Sequence, residues 1–182
     1  EKLDEVAFLE HLACYFDSVA GVHHVFARTK GGDPATYYYR RFIKEREWTP
    51  WERVELDISA DHLLAFMRNG RLYLAWPLFE EEAEPKTDGE DIPTSPGGGK
   101  APPPNKRLKI KLALSEYSNG KWLPKKLSKE GLVSGGYVPQ PPKPETHRFT
   151  AADLGQAGFC IVVTVQYEGK YEGTLDRYFG AF

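Results

Sequence analysis

Apolar and polar residues alternate with a period of two along much of the chain. Val54, Leu56 and Ile58 alternate with Glu55 and Asp57, the pattern of a strand with one face in a core and one in water. Leu108, Ile110, Leu112 and Leu114 alternate with Arg107, Lys109 and Lys111, which predicts one core face and one basic, wet face. Leu63–Arg68 and Arg71–Trp76 are joined by Asn69-Gly70, a pair suited to a two-residue hairpin turn that needs positive φ at both positions. Leu72, Leu74 and Trp76 fall on one side of that hairpin, with Tyr73 and Ala75 on the other, so it is expected to be covered on both. Asn119-Gly120 repeats the design and closes onto Trp122. Val22–Thr29 and Tyr37–Ile43 predict a first hairpin, followed by a bend at Trp48-Thr49-Pro50-Trp51. Phe159–Tyr167, the most apolar run, predicts a central strand turned back by Glu168-Gly169-Lys170 towards Tyr171–Leu175. The first residues allow two readings: Leu3, Val6, Ala7, Leu9 and Leu12 form one face of a short helix, or a strand opens across Phe8–Tyr15. A short helical turn is expected after Thr150, within Phe149–Gly158.

Two stretches interrupt the pattern. Residues 80–106 hold three consecutive acids, Pro85, Asp88-Gly89, Ser95-Pro96-Gly97-Gly98-Gly99 and Pro102-Pro103-Pro104. Such a composition buries too little apolar surface to offset the entropy of ordering, and a mobile insertion is expected. Residues 129–148 form an irregular Gly/Pro crossing. The rest reads as one all-β domain over 1–182, its antiparallel hairpin units packed as a β-sandwich or as an incomplete propeller-like module.

Composition narrows the partners. The chain has 182 residues, a formal net charge of −2 and 13% aromatics. Its pI near 6.3 offers no electrostatic attraction for nucleic acid or an anionic membrane surface. No apolar run approaches the length of a membrane helix, so no direct membrane insertion by this segment is expected. The missing initiator Met and the abrupt end at Phe182 suggest a piece of a longer protein. Cys14 and Cys160 sit among apolar neighbours and are expected to behave as small buried hydrophobes.

Few residues suggest chemistry. His23 and His24 are adjacent on a strand and so point to opposite faces, while His11, His62 and His147 are isolated. Asp88-Gly89-Glu90-Asp91 lacks the periodic oxygen ligands of a calcium loop. No phosphate-cradling glycine loop stands out, nor any Ser/His/Asp or Cys/His nucleophile arrangement. The expectation is therefore no metal, no cofactor and no catalytic residue. Two surface features remain. Tyr38, Trp48 and Trp51 are a candidate aromatic platform for a sugar ring or a protein surface. The acidic run Glu52, Glu55, Asp57 and Asp61, with His62 beside it, is a candidate contact surface whose carboxylates would make association depend on pH.

Five strings, in order, carry a family resemblance: H-V-F-A-R-T-K-G (His24–Gly31), T-Y-Y-Y-R-R (Thr36–Arg41), W-T-P-W-E-R-V-E-L-D-I (Trp48–Ile58), D-H-L (Asp61–Leu63) and N-G-R-L-Y-L-A-W-P-L-F (Asn69–Phe79). S-E-Y-S-N-G-K-W (Ser115–Trp122), Pro124-Lys125-Lys126 and Ser128 extend them. Across Val19 to Ser128 the chain resembles the neuraminidase-like region of the A component of insecticidal toxin-complex (Tc) proteins. One departure is that Asp-His-Leu runs into L-L-A-F-M-R rather than a more β-branched strand. The resemblance implies a secreted or cell-surface bacterial protein, in which this structural module lies at the closed end of a shell that surrounds a translocation channel and contacts neighbouring protomers until a pH change opens it. Its partners would be other domains and protomers of the same toxin component. The alternative is a carbohydrate-binding, lectin-like module that meets a host glycan during attachment. An enzyme is not expected. Sialidases use three arginines, a Tyr activated by a Glu, an acid Asp and repeated Ser-x-Asp-x-Gly-x-x-Trp turns. The nearest string, Ser118-Asn119-Gly120-Lys121-Trp122, lacks the Asp and the spacing.

Overall fold

The computed structural model describes residues 6–31, 33–83, 106–134, 143–153, 159–165 and 177–179, with 153 and 177–179 described as backbone. The described residues form three antiparallel sheets and, besides strands, a single 3-10 turn at Pro144–Thr146.

The first sheet is a meander of β1 (Leu9–Asp17), β2 (Val22–Thr29), β3 (Tyr37–Ile43) and β4 (Glu47–Trp48), with β5 (Glu52–Arg53) also paired to β3. The N-terminal ambiguity resolves to a strand from Leu9, with a bulge between His11 and Ala13. The second sheet is built on β6 (Leu64–Arg68), β7 (Arg71–Ala83) and β8 (Lys106–Ser118), with β9 (Lys121–Trp122), β10 (Lys126–Leu127) and β11 (Leu132–Ser134) along β8. Asn69 and Gly70 close β6–β7 at φ 50° and 71°, and Asn119 and Gly120 close β8–β9 at 51° and 76°, the mirror-image turn geometry that matches strand twist. The third sheet holds β12 (His147–Asp153), β13 (Phe159–Val165) and β14 (Arg177–Phe179), with β13 in the middle.

The second sheet is the middle layer. Leu72, Leu74, Trp76 and Ala113 pack with Phe26, Tyr37 and Tyr39 of the first sheet. Phe66, Ala75, Ile110, Leu112 and Leu114, on the opposite face, pack with Ile161 and Val163 of the third. The sandwich expectation therefore holds, extended to a third layer, and the Asn-Gly hairpin is covered on both sides. Trp76 is fully enclosed.

Several expectations are corrected. Val54–Ile58 is not a strand. The strand ends at Arg53, the last backbone hydrogen bond to β3 running from Val54 N–H to Tyr37 O at 2.8 Å, yet Val54 and Ile58 are buried while Glu55 and Asp57 are exposed, because the stretch beyond runs as an extended cover over the first core and not as a rung of a ladder. The second face of β8 is basic only at Arg107–Lys111, since Ala113 and Ser115 on that face lie buried. Both ends of the expected insertion, residues 80–83 and 106, belong to strands. Glu80–Ala83 pair with Lys106–Lys109, and the acids ion-pair across the ladder, Glu82 with Arg107 and Lys109, Glu81 with Lys106 and Glu80 with Lys111. Residues 84–105 lie outside the described residues, as does 166–176 with the Glu168-Gly169-Lys170 turn. Within 129–148, β11 and the 3-10 turn are regular, and Ser134 Oγ reaches His147 Nε2 at 2.9 Å. β12 continues through Thr150 to Asp153, so no helical turn begins directly after Thr150, and the rest of that expectation, residues 154–158, lies outside the described residues. Cys160 is buried, but Cys14 is exposed on the outer side of β1.

Candidate functional site

The strand register places the planar side chains of the first sheet on its two faces. Tyr37 and Tyr39 point into the core, while Tyr38, Arg40 and Phe42 point outward. Phe16, His23, Phe42 and Trp48 are directly cross-strand from one another. They stack as a band across four strands, with ring centroids 4.4 Å apart for Phe16–His23, 6.2 Å for His23–Phe42 and 4.6 Å for Phe42–Trp48. The band continues through Arg40, whose guanidinium carbon lies 3.9 Å from the Trp48 ring and 4.3 Å from that of Trp51. The Thr49-Pro50 bend brings the two indoles to the same cation.

That arrangement has an electrostatic character. A guanidinium between two indole faces is held by their quadrupoles, and Arg40 Nε is enclosed with no hydrogen-bond partner among the described residues. Burial lowers the Arg40 pKa, though an arginine stays charged. Arg53, cross-strand from Tyr38, adds a second cation to this face. Its strand positions in register are Phe16, His23, Phe42 and Trp48, then Cys14, Val25 and Arg40, then His11, Ala27, Tyr38 and Arg53. None is acidic. The outer face is aromatic and cationic in a protein whose overall charge is slightly negative.

Trp48 and Trp51, two of the three residues of the candidate platform, both face the Arg40 guanidinium, with Trp48 46% exposed. Tyr38 shares their face but is only 5% exposed, so it presents little ring surface of its own. The acidic run is spread along the flank and mostly paired within the chain. Glu52 accepts a hydrogen bond from Tyr117 Oη at 3.1 Å and lies 3.8 Å from Arg41. Asp57 pairs with Lys125 at 2.7 Å. Asp61 and Glu10 share the guanidinium of Arg28. Glu55 is exposed and makes no ion pair among the described residues. His62 turns towards Phe149, and burial, with Arg148 nearby, lowers its pKa.

A second constellation lies where the turns Asp17–Gly21, Asn69-Gly70 and Asn119-Gly120 converge. A cavity of about 430 Å³ there is bordered by His24, Tyr39, Arg41, Arg71 and Tyr117. His24 Nδ1 and Tyr39 Oη are 2.7 Å apart. Burial pushes His24 down to about 4, with Arg41 acting in the same sense and Asp17 against it. Burial and the Glu52 carboxylate raise the Tyr117 pKa. Both rings are thus neutral near pH 7, which suits hydrogen bonding and leaves the phenol a weak nucleophile. A larger hollow of about 730 Å³ lies along the β8–β10 side, walled by Phe66, Tyr73, Leu123, Leu127 and Phe159. Among the described residues no group of three or more metal-ligating side chains converges.

Sequence reasoning missed Arg40, Phe16, His23 and Phe42. The period-two spacing of Tyr38, Arg40 and Phe42 was legible, but their alignment with Phe16 and Trp48 depends on register, which no single stretch encodes.

Residues 9–164 match the family described as neuraminidase-like domain, which bears out the resemblance seen in the sequence. No curated protein matches the sequence. Among solved structures, the fold resembles a cryo-EM structure of Morganella morganii TcdA4, with a TM-score of 0.63 at 15% identity over 94% of this chain and 7% of that one. Yersinia pseudotuberculosis TcaA-TcaB is similar with a TM-score of 0.49 at 14% identity, over 92% of this chain and 8% of that one. The chain thus spans less than a tenth of the length of either.

Proposed function

The chain belongs to the neuraminidase-like domain family, and on that footing we propose that it is a structural and interaction module of a multimeric, secreted pore-forming toxin component. In this reading it contributes protomer contacts that close a shell around a translocation channel, and it is not an enzyme. Its partners are other domains and protomers of the same component. The observation that carries the reading is the fold likeness to TcdA4 over nearly the whole of this chain and a small share of that one, the relation of a part to a much longer chain. Two features support contact over catalysis. The Tyr117–Glu52 pair keeps its phenol protonated, and most flank carboxylates are already engaged in ion pairs.

The test is excision of residues 9–164 from the full-length component, with bilayer conductance measured at neutral pH. Premature conductance, or loss of the assembled particle, is expected. A closed, correctly sized particle would overturn the reading. Within the module, Glu52, Glu55, Asp57, Asp61 and His62 are proposed as a pH-dependent contact edge. Sedimentation of the full-length component from pH 4 to 11 should then differ between wild type and Asp57→Asn or Asp61→Asn. Superimposable profiles would remove that edge.

One observation favours a second reading, carbohydrate binding at host attachment. Trp48 is half-exposed beside a cation, and Trp51 shares that cation. A glycan array decides between them, because a module used only for contacts binds nothing on it.

A further inference from the structure

The hollow where three turns converge is bordered by hydrogen-bonding groups that the fold leaves unused. His24, only 8% exposed, is cross-strand from Arg41. The Tyr39 hydroxyl, 2.7 Å from His24 Nδ1, belongs to a wholly buried residue and has no other acceptor among the described residues. Its O–H therefore donates to Nδ1. The proton of the neutral imidazole is then on Nε2, a donor with no partner among the described residues. Arg41 adds further donors. Its Nε is enclosed without a partner, and its one ion-pair contact among the described residues is Nη2 to Glu52 at 3.8 Å, too long for a hydrogen bond. An acceptor borders the same hollow. Asp17 Oδ1 takes the Val19 and Ala20 N–H groups at 3.0 and 3.1 Å, while Oδ2 accepts from no described residue.

The charges around the hollow balance. Arg71 and Glu116 pair with each other at 2.9 Å, and Arg41 stands against Asp17. An anionic ligand would meet as much repulsion as attraction there. A hydroxyl, by contrast, both donates and accepts, and the unused groups are of both kinds. Met67 and Leu72 add apolar lining on which the C–H surface of a ring can rest. At about 430 Å³ the hollow falls within the roughly 300–1,000 Å³ of small-ligand pockets. We propose that it binds one ring of a neutral sugar, whose adjacent hydroxyls accept from Arg41 and His24 and donate to Asp17. The site is separate from the Trp48–Trp51 face, because Arg40 and Arg41 are neighbours on β3 and lie on opposite sides of the sheet. It does not depend on the contact role proposed above.

The experiment is photoaffinity labelling of the full-length component with diazirine-bearing glycosides of mannose, galactose and glucose, and of N-acetylneuraminic acid as the anionic counterpart. Labelled peptides are located by mass spectrometry. At least one neutral probe should label residues 17–21, 69–72 or 116–119, and the matching methyl glycoside should compete the label away. Arg41→Met and, separately, Asp17→Asn should each weaken that competition about tenfold, the effect of losing one hydrogen bond to a charged group. Asp17→Asn keeps an Oδ1 acceptor for the turn, so its effect is read on an intact backbone. No label at these turns from any neutral probe, label and competition at wild-type level in both variants, or equal label from the acidic probe would overturn the proposal. Label confined to residues 48–51 would overturn it too, and would support the outer face as the carbohydrate site. None of these results bears on the excision experiment, whose failure would in turn leave the labelling map standing.

Discussion

The two faces of the first sheet are built from the same strands and nearly the same residue types, yet they do different work. On the inner face Phe26 and Tyr39 meet Trp122 edge-on at 5.7 Å, and Tyr39 meets Tyr117 at 5.4 Å. Rings there join two sheets, and Tyr39 and Phe26 are almost wholly buried. On the outer face Phe16, His23, Phe42, Trp48, Arg40 and Trp51 lie beside one another in a row. They bridge strands of one sheet and stay half-open to solvent. A high aromatic content therefore says little about role until each ring is placed on a face. Inner rings supply burial, whereas outer ones supply a covered cation and a surface that another body can meet.

The contrast breaks most sharply in the core. Trp76→Ala should cost about 3–5 kcal/mol, the range for removing a large buried aromatic, read from chemical denaturation with an unchanged m-value. Trp76→Phe should cost less, because the indole N–H has no acceptor among the described residues to lose. If Trp76→Ala cost under about half a kcal/mol, the middle layer would not be the shared wall of two cores.

Acid sharpens the comparison next. His24 sits at the end of the inner face, held near 4 against an ordinary value of 6.5. Between those pH values the unfolded chain binds more protons than the folded one, so stability falls as pH drops through the window and levels off below about 4. The steepest slope from one such group is about 1.4 kcal/mol per pH unit. His62 and His147, also lowered by burial, add slope of the same sign. His24→Gln should therefore flatten the stability–pH curve without abolishing its slope, and an unchanged curve would show that His24 is solvated.

The outer face should respond more weakly. Arg40→Gln removes a cation stacked on two indoles and should cost about 1 kcal/mol, with a change in tryptophan fluorescence as Trp48 and Trp51 lose their shared partner. A loss above about 3 kcal/mol would mean that the outer row is part of the core. Asp57→Asn should be smallest of all, under about 1 kcal/mol, since its partner Lys125 holds a carboxylate that is largely in water. Thermal melts at two ionic strengths would check it, the difference shrinking in high salt.

Much of the fold was legible without coordinates. The Asn-Gly pairs at 69–70 and 119–120 specify their turns because few residues accept positive φ at both positions, and those turns set the register of β6–β7 and β8–β9. The alternation of Leu108, Ile110, Leu112 and Leu114 named a buried face correctly, as did that of Val54 and Ile58. The latter also misled, because alternating burial needs only an extended chain over a core and not a hydrogen-bonded neighbour. The acids at 80–82 misled in the other direction. Read locally they begin a loop, but cross-strand lysines and arginines on β8 keep them in the ladder to Ala83.

What the sequence alone determined is local: turns, strand faces, and the family signalled by its ordered strings. Which rings lie beside which was decided only by the tertiary structure, because cross-strand rows join residues far apart in the chain. Phe16 and Trp48 become members of one band only when four strands align. Glu55 differs from Asp57 and Asp61 only because Lys125 and Arg28 arrive from other elements to occupy the latter two. A side chain's charge is written in the sequence, but whether that charge remains available depends on what packs against it.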